Sequence, residues 1–184
     1  MIETVVESIR VNLVTQNRVV MLKEVQGERH LPIWIGDFEA QAIAMELQGL
    51  ASPRPLPYDL MKAMIVDMGG TVDRIMVTDL AQDVFYARIV IAINGRSVEI
   101  DSRPSDAIAL AVRTHSPILV EEMVMERAGV SLEGEGNESE EDAETPGEAT
   151  TESTSAGVDE ERLGVFRDFI NTLDLDDFDR KRGS

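Results

Sequence analysis

Along the first third of the chain, apolar residues recur in short runs separated by turn-forming polar residues. Val5, Ile9, Val11 and Leu13 recur across residues 2–14, and two further apolar runs occupy residues 18–25 and 30–35. Gln16-Asn17 and Gln26-Gly27-Glu28-Arg29 separate them. Runs of this length, rich in branched residues and bounded by turn signals, predict three strands. Pro32 falls near the start of the third, where a missing N–H is tolerated. The period then changes. Phe38, Ala42, Met45 and Leu50 lie at helical spacing with Gly49 near the end, which predicts a helix over 37–50. Pro53, Pro55 and Pro57 hold the next stretch extended. Asp59 is expected to cap a second helix running through Leu60, Met61, Met64 and Ile65 to Gly69-Gly70.

The pattern then repeats. Ala42-Ile43-Ala44-Met45-Glu46-Leu47 reads like Ala107-Ile108-Ala109-Leu110-Ala111-Val112, 65 positions later, and Ile33 and Ile35 fall on Val98 and Ile100 at the same offset. Strands are predicted near 71–80, 84–94 and 97–101, with Asn94-Gly95 as the strongest hairpin signal. A helix over 104–114, a short strand over 117–120 and a short helix over 121–128 follow. Two copies are too few to stack as a solenoid. The expected fold class is therefore α+β, with duplicated β-β-β-α units forming a single pseudo-symmetric domain over residues 1–130.

Charge is distributed unevenly. The net charge is −18, but residues 131–161 hold twelve acidic and no basic residues. That segment is almost devoid of large apolar side chains and is expected to be a disordered acidic linker, since it cannot offset ordering entropy by burial. Beyond it, Leu163, Phe166, Phe169, Ile170 and Leu173 mark one face of an amphipathic helix within a C-terminal segment, 162–184. The remaining acidity of residues 1–130 is mild, which argues against tight non-specific binding to DNA but leaves room for a local nucleic-acid site. There is no cysteine, hence no disulfide framework or thiolate metal site. No run of eighteen apolar residues and no signal-peptide pattern occur, so a cytoplasmic protein is expected.

The two copies differ at the helix entrance. The first reads Gly36-Asp37-Phe38-Glu39 and the second Asp101-Ser102-Arg103-Pro104-Ser105-Asp106. In the second, Pro104 suits the first helical position, and the free N–H groups and positive dipole end behind it suit an anion. Arg103 adds a forked donor matched to phosphate. The same residues also read as an ordinary cap, with Arg103 paired to Asp101 or Asp106. Arg54-Pro55 with Asp59 is a second candidate: a rigid connector presenting an arginine, or simply a punctuated loop. Glu39, Asp59, Asp101, Asp106, Glu121 and Glu122 supply carboxylates of the type that hold magnesium or manganese for phosphodiester cleavage, or that make up a solvated face. His30 and His115 fit no metal spacing.

Three of these motifs occur together in a known family. Leu31-Pro32-Ile33-Trp34-Ile35-Gly36 with Glu39-Ala40, then Arg54-Pro55 with Asp59-Leu60, then Ser102-Arg103-Pro104-Ser105-Asp106-Ala107, resemble the bifunctional nuclease domain of bacteria and plants over about residues 2–130. The resemblance implies a homo-oligomer that cuts DNA and RNA. Nucleic acid would be a weakly bound substrate, and no membrane would be involved. Carried over by position, the motif residues are Glu39, Arg54, Asp59, Arg103, Ser105 and Asp106, and the resemblance does not settle their individual roles. In the expected nuclease reading Glu39, Asp59, Asp101 and Asp106 are catalytic, and Arg54, Arg103 and Ser105 bind substrate. Asp59, Asp101 and Asp106 would hold Mg²⁺ or Mn²⁺. One position departs from the family's Arg-Pro-x-Thr-His-Asp-Leu pattern: Tyr58 stands where a histidine is common. Either that histidine is not catalytic or this member is weak or inactive. A non-catalytic binding or regulatory module is the alternative.

Overall fold

The structure, a computed structural model, describes residues 1–11 and 17–131. The expectations for residues 12–14, for the acidic linker beyond Ser131 and for the C-terminal helix lie outside the described residues. Within them the protein is α+β, with one eight-stranded sheet and four helices. Strands β1 (Ile2–Val11), β2 (Arg18–Glu24) and β3 (Arg29–Ile35) form an antiparallel meander, followed by α1 (Asp37–Leu47) and α2 (Pro57–Asp67). A second meander, β4 (Gly70–Ala81), β5 (Val84–Ile93) and β6 (Arg96–Ser102), leads into α3 (Pro104–Thr114). The chain closes with β7 (Ile118–Val120), α4 (Glu122–Ala128) and β8 (Val130–Ser131).

The sheet order is β6-β5-β4-β7-β1-β2-β3-β8. β7 enters between the two meanders, parallel to β4 and antiparallel to β1. Thr4 is buried here, and its hydroxyl donates to the Ile118 carbonyl at 3.1 Å. Both tight turns of the second meander have two central residues in the left-handed region: Gln82 and Asp83, then Asn94 and Gly95. That geometry matches strand twist, and Asn-Gly is the pair that adopts it most readily. The short β8 was not expected; it pairs with the start of β3.

Successive residues point to opposite faces of the sheet, and in β2 both faces are buried, Val19 and Met21 on one and Val20 and Leu22 on the other. Val20, Leu22, Leu31 and Ile33 point into the same core as Ile75, Val77, Ile89 and Ile91. The helices lie against that face. α3 is the central one. Ala107, Ile108, Ala109, Leu110 and Ala111 are all buried, so it is apolar around nearly its whole girth. A helix of that kind belongs inside a protein. It packs between α1, α2 and the sheet, and its alanines allow close approach.

Two helix boundaries differ from expectation. α1 stops at Leu47, because Gly49 turns left-handed (φ +66°) and the N–H groups of Gly49 and Leu50 bond back to the Glu46 and Met45 carbonyls. α2 begins three residues early, at Pro57 with Leu56 as its cap. Asp59 is thus not the capping residue itself. It sits in the first turn and reaches back, accepting the Leu56 N–H at 2.7 Å. Proline at the first helical position forgoes an N–H that would have no intrahelical partner. No described helix is long and apolar enough to cross a membrane.

Candidate functional site

The N-terminal ends of three helices supply the site. Arg103 precedes Pro104 in extended backbone (φ −71°, ψ 145°), so its side chain leaves the chain just where α3 starts. Its Nε donates to Asp106 Oδ2 at 2.7 Å and its Nη2 to Asp106 Oδ1 at 3.0 Å, a bidentate pair one turn apart. Nη2 also donates to Glu39 Oε1 at 2.8 Å, reaching across to the first turn of α1. Nη1 has no partner among the described residues. From α2, the hydroxyl of the buried Tyr58 donates to Asp106 Oδ1 at 2.9 Å. Residues 39, 58, 103 and 106 thus converge from three separate parts of the sequence.

Gly36 makes room for this arrangement. A Cβ there would collide with Glu39 Oε2. Its φ is an ordinary −73°, so a larger residue would fit there by displacing the flexible end of the Glu39 side chain.

The electrostatics hold Asp106 ionised. Burial pushes its carboxyl up, but the Arg103 and Tyr58 hydrogen bonds and the Arg103 charge outweigh burial and leave it below the usual carboxylate range. Tyr58 moves the other way. Burial first, then the hydrogen bond to Asp106 and the charges of Asp106 and Glu39, push its phenol above the ordinary value. Tyr58 therefore keeps its proton at neutral pH and acts as a donor. It is no substitute base for the histidine common at this position.

Behind the cluster lies a residue that the sequence motifs did not single out. Arg113, in the last turn of α3, is only 2% exposed. Its Nε donates to Asp59 Oδ1 at 2.7 Å, Nη1 to the Ala109 carbonyl at 2.8 Å and Nη2 to the Ala42 carbonyl at 3.1 Å. Its guanidinium carbon also lies 5.4 Å from the centroid of the Tyr58 ring, within cation–π range. One buried arginine thereby ties α1, α2 and α3 together beneath the site. Sequence carried one signal for it: an arginine on a helix apolar all round must either point out or be fully paired.

The residues expected to form the site are thus only partly gathered. Glu39, Arg103 and Asp106 meet. Ser105 is buried in the first turn of α3, with no side-chain cap bond there. Arg54 is exposed in the α1–α2 connection without a partner among the described residues. Asp59 belongs to the Arg113 brace: one oxygen accepts from Arg113 and the other from the Leu56 N–H. Burial raises its carboxyl, but those two hydrogen bonds with the Arg113 and Lys62 charges hold it low. Asp101 lies on the edge strand β6 opposite Arg88 of β5, exposed, with Ser102 and Arg103 between it and the helix. Asp59, Asp101 and Asp106 therefore do not converge. Among the described residues no group of three or more histidine or carboxylate side chains is placed to hold a metal ion. The trio expected to bind Mg²⁺ or Mn²⁺ does not fit one in this arrangement.

Comparison with known proteins supplies the context. The bifunctional nuclease domain matches residues 20–133. The chain belongs to this family. An uncharacterized protein of Mycobacterium tuberculosis is 38% identical over 176 residues, 96% of this chain and 97% of its own length. Among plant members, "Bifunctional nuclease 1" of Oryza sativa subsp. indica is 28% identical over 117 residues, and "Bifunctional nuclease 2" of Arabidopsis thaliana 25% over 156. Those matches take in 62% and 81% of this chain but only 35% and 47% of the plant proteins. The residues bearing the site, from α1 to α3, all lie inside the family match.

Proposed function

We propose that this protein hydrolyses phosphodiester bonds in DNA and RNA at the Glu39–Arg103–Asp106 cluster, and does so as a cytoplasmic homo-oligomer built on a duplicated β-β-β-α domain spanning about residues 1–130. One observation carries the reading: in a member of the nuclease family, Glu39, Tyr58 and the Arg103–Asp106 pair, far apart in sequence, converge at one place. Arg103 holds a substrate phosphate through Nη1, the end that has no partner among the described residues. Asp106 and the Tyr58 hydroxyl fix the other end and act as positioning groups. Glu39, whose Oε2 stands over Gly36, is the carboxylate left to orient and deprotonate a water. Arg54 contacts the nucleic-acid backbone beside it. Among the described residues a divalent ion such as Mg²⁺ or Mn²⁺ finds no ready-made set of three side-chain ligands.

A second reading has an observation of its own. Arg103 is already paired with two carboxylates, and the tyrosine holds its proton, which suits a binding or regulatory module without turnover. Cleavage of a labelled oligonucleotide, measured beside melting on the same purified variants, separates the two. Arg103→Lys keeps the charge and loses the fork, so cleavage drops at least tenfold, about 1.4 kcal/mol or more of transition-state stabilisation. Asp106→Asn lowers cleavage likewise, at a stability cost of about 1 kcal/mol. Wild-type rates in Asp106→Asn remove this cluster as the catalytic centre.

A further inference from the structure

We propose that Phe38 is a stacking platform for an unpaired base, so that the site takes single-stranded rather than duplex nucleic acid; this rests on the phosphodiesterase reading above. Phe38 stands in the first turn of α1 with 85% of its surface exposed, more than any other large apolar residue described. Leaving a phenylalanine in water forfeits roughly 1.5–3 kcal/mol of burial, and the start of a helix favours an acidic side chain instead. Nothing in the fold requires an aromatic ring there.

Its position relates it to the site. Glu39, the next residue, accepts from Arg103 Nη2 at 2.8 Å, and Asp37, the previous one, accepts from Arg18 Nε at 2.7 Å. The ring thus projects from a segment bracketed by two arginine–carboxylate pairs, one of them the proposed phosphate site.

Charge decides the class of ligand. A protein that grips duplex DNA by its backbone neutralises several phosphates with clustered lysine and arginine. Here residues 1–130, which carry the site, are mildly acidic rather than basic, and Arg103 shares its charge with Glu39 and Asp106. Electrostatics alone hold a substrate weakly. Stacking of one base on an aromatic ring contributes about 1–3 kcal/mol whatever the base, so it suits an enzyme that acts on both DNA and RNA. In a duplex both faces of a base are covered by its neighbours, and exposing one costs a few kcal/mol. That cost cancels the gain, and the ring discriminates in favour of strands already unpaired.

The test is fluorescence anisotropy of a labelled oligothymidylate, and of a duplex of equal length, both with cleavage-resistant phosphorothioate linkages so that turnover does not interfere. Phe38→Ala weakens single-strand binding roughly 5- to 150-fold, the equivalent of losing one stacked base, with no change in melting temperature. Phe38→Trp retains binding. The wild-type protein binds the duplex less tightly, and neither variant changes that. Unchanged single-strand affinity in Phe38→Ala, or duplex binding equal to single-strand binding, overturns the proposal. If Arg103→Lys still lowers cleavage at least tenfold in that case, the phosphodiesterase reading stands without it. A wild-type protein that neither binds nor cuts nucleic acid removes both.

Discussion

Replacing Arg113 by methionine tests whether the brace beneath the site holds it together. Methionine keeps most of the aliphatic stem and removes the guanidinium, so the packing loss is small. The polar loss comprises hydrogen bonds to Asp59, Ala109 and Ala42, the contact with the Tyr58 ring and a long, half-exposed ion pair with Glu46 at 3.9 Å that adds little. Both carbonyls belong to helix residues and accept backbone N–H groups as well, so neither becomes a bare acceptor. Each lost bond then counts near the net value of about 1 kcal/mol. The Asp59 carboxylate is 36% exposed, so water takes over part of the Arg113 role and the full 3–5 kcal/mol penalty for breaking a buried pair does not apply. The sum is roughly 3 kcal/mol, which for a domain of this size lowers the melting temperature by about 10 °C. Arg113→Lys, which keeps the charge but not the fork, loses about half as much. Thermal and urea denaturation measure both. A cycle with Asp59→Asn isolates the pair and gives a coupling of about 1 kcal/mol. A methionine variant melting within about 2 °C of wild type, or zero coupling with Asp59→Asn, refutes the idea that this arginine secures the three helices.

Two further predictions concern the cluster itself. Asp106 and Asp59 are both held below their usual range by arginine partners that outweigh burial. Such groups contribute stability that is present above the unfolded carboxyl value of about 4 and lost as pH falls through the lower folded value. Urea midpoints therefore hold steady from pH 7 to about 5 and decline below about 4, less steeply in Asp106→Asn; an equal decline in that variant refutes the contribution. Gly36→Ala forces the Glu39 carboxylate out of its present place, since the new methyl occupies the position next to Oε2. Cleavage falls at least tenfold, by 1.4 kcal/mol or more, while melting changes by less than about 1 kcal/mol equivalent. Unaltered cleavage means that the position of Glu39 is immaterial.

How far these features were legible in the sequence depends on the range of the interaction. Local signals were reliable: the Asn94-Gly95 hairpin, Pro104 opening α3 and the strand runs of both meanders are set by backbone preferences within a few residues. The start of α2 was misplaced because two local rules compete at Pro57. Alternate prolines suggest an extended chain, whereas a proline at the first helical position suggests a start, and the Asp59-to-Leu56 bond decides for the helix. Longer-range facts were hidden. Asp101 and Asp106 lie close in sequence, yet Asp101 is exposed on an edge strand and Asp106 is turned to Arg103 and Tyr58. Arg113 looked like an ordinary cation at a helix end, because two of its partners are backbone carbonyls, which every residue possesses.

The three-residue strand β7 also bears on how the chain reaches this state. Each meander pairs neighbouring segments and can assemble quickly from short-range contacts. Neither has its inner edge covered until residues 118–120 arrive, and the bond from Thr4 to Ile118 spans 114 positions. Closing that loop carries an entropic cost that no earlier pairing offsets. During synthesis the edges of β1 and β4 therefore stay open to other chains for the time needed to make the remainder of the domain, at about 5–20 residues per second. The strand that joins the two halves leaves the ribosome's exit only after both meanders, and a ribosome stalled before it would release two half-sheets with matching sticky edges.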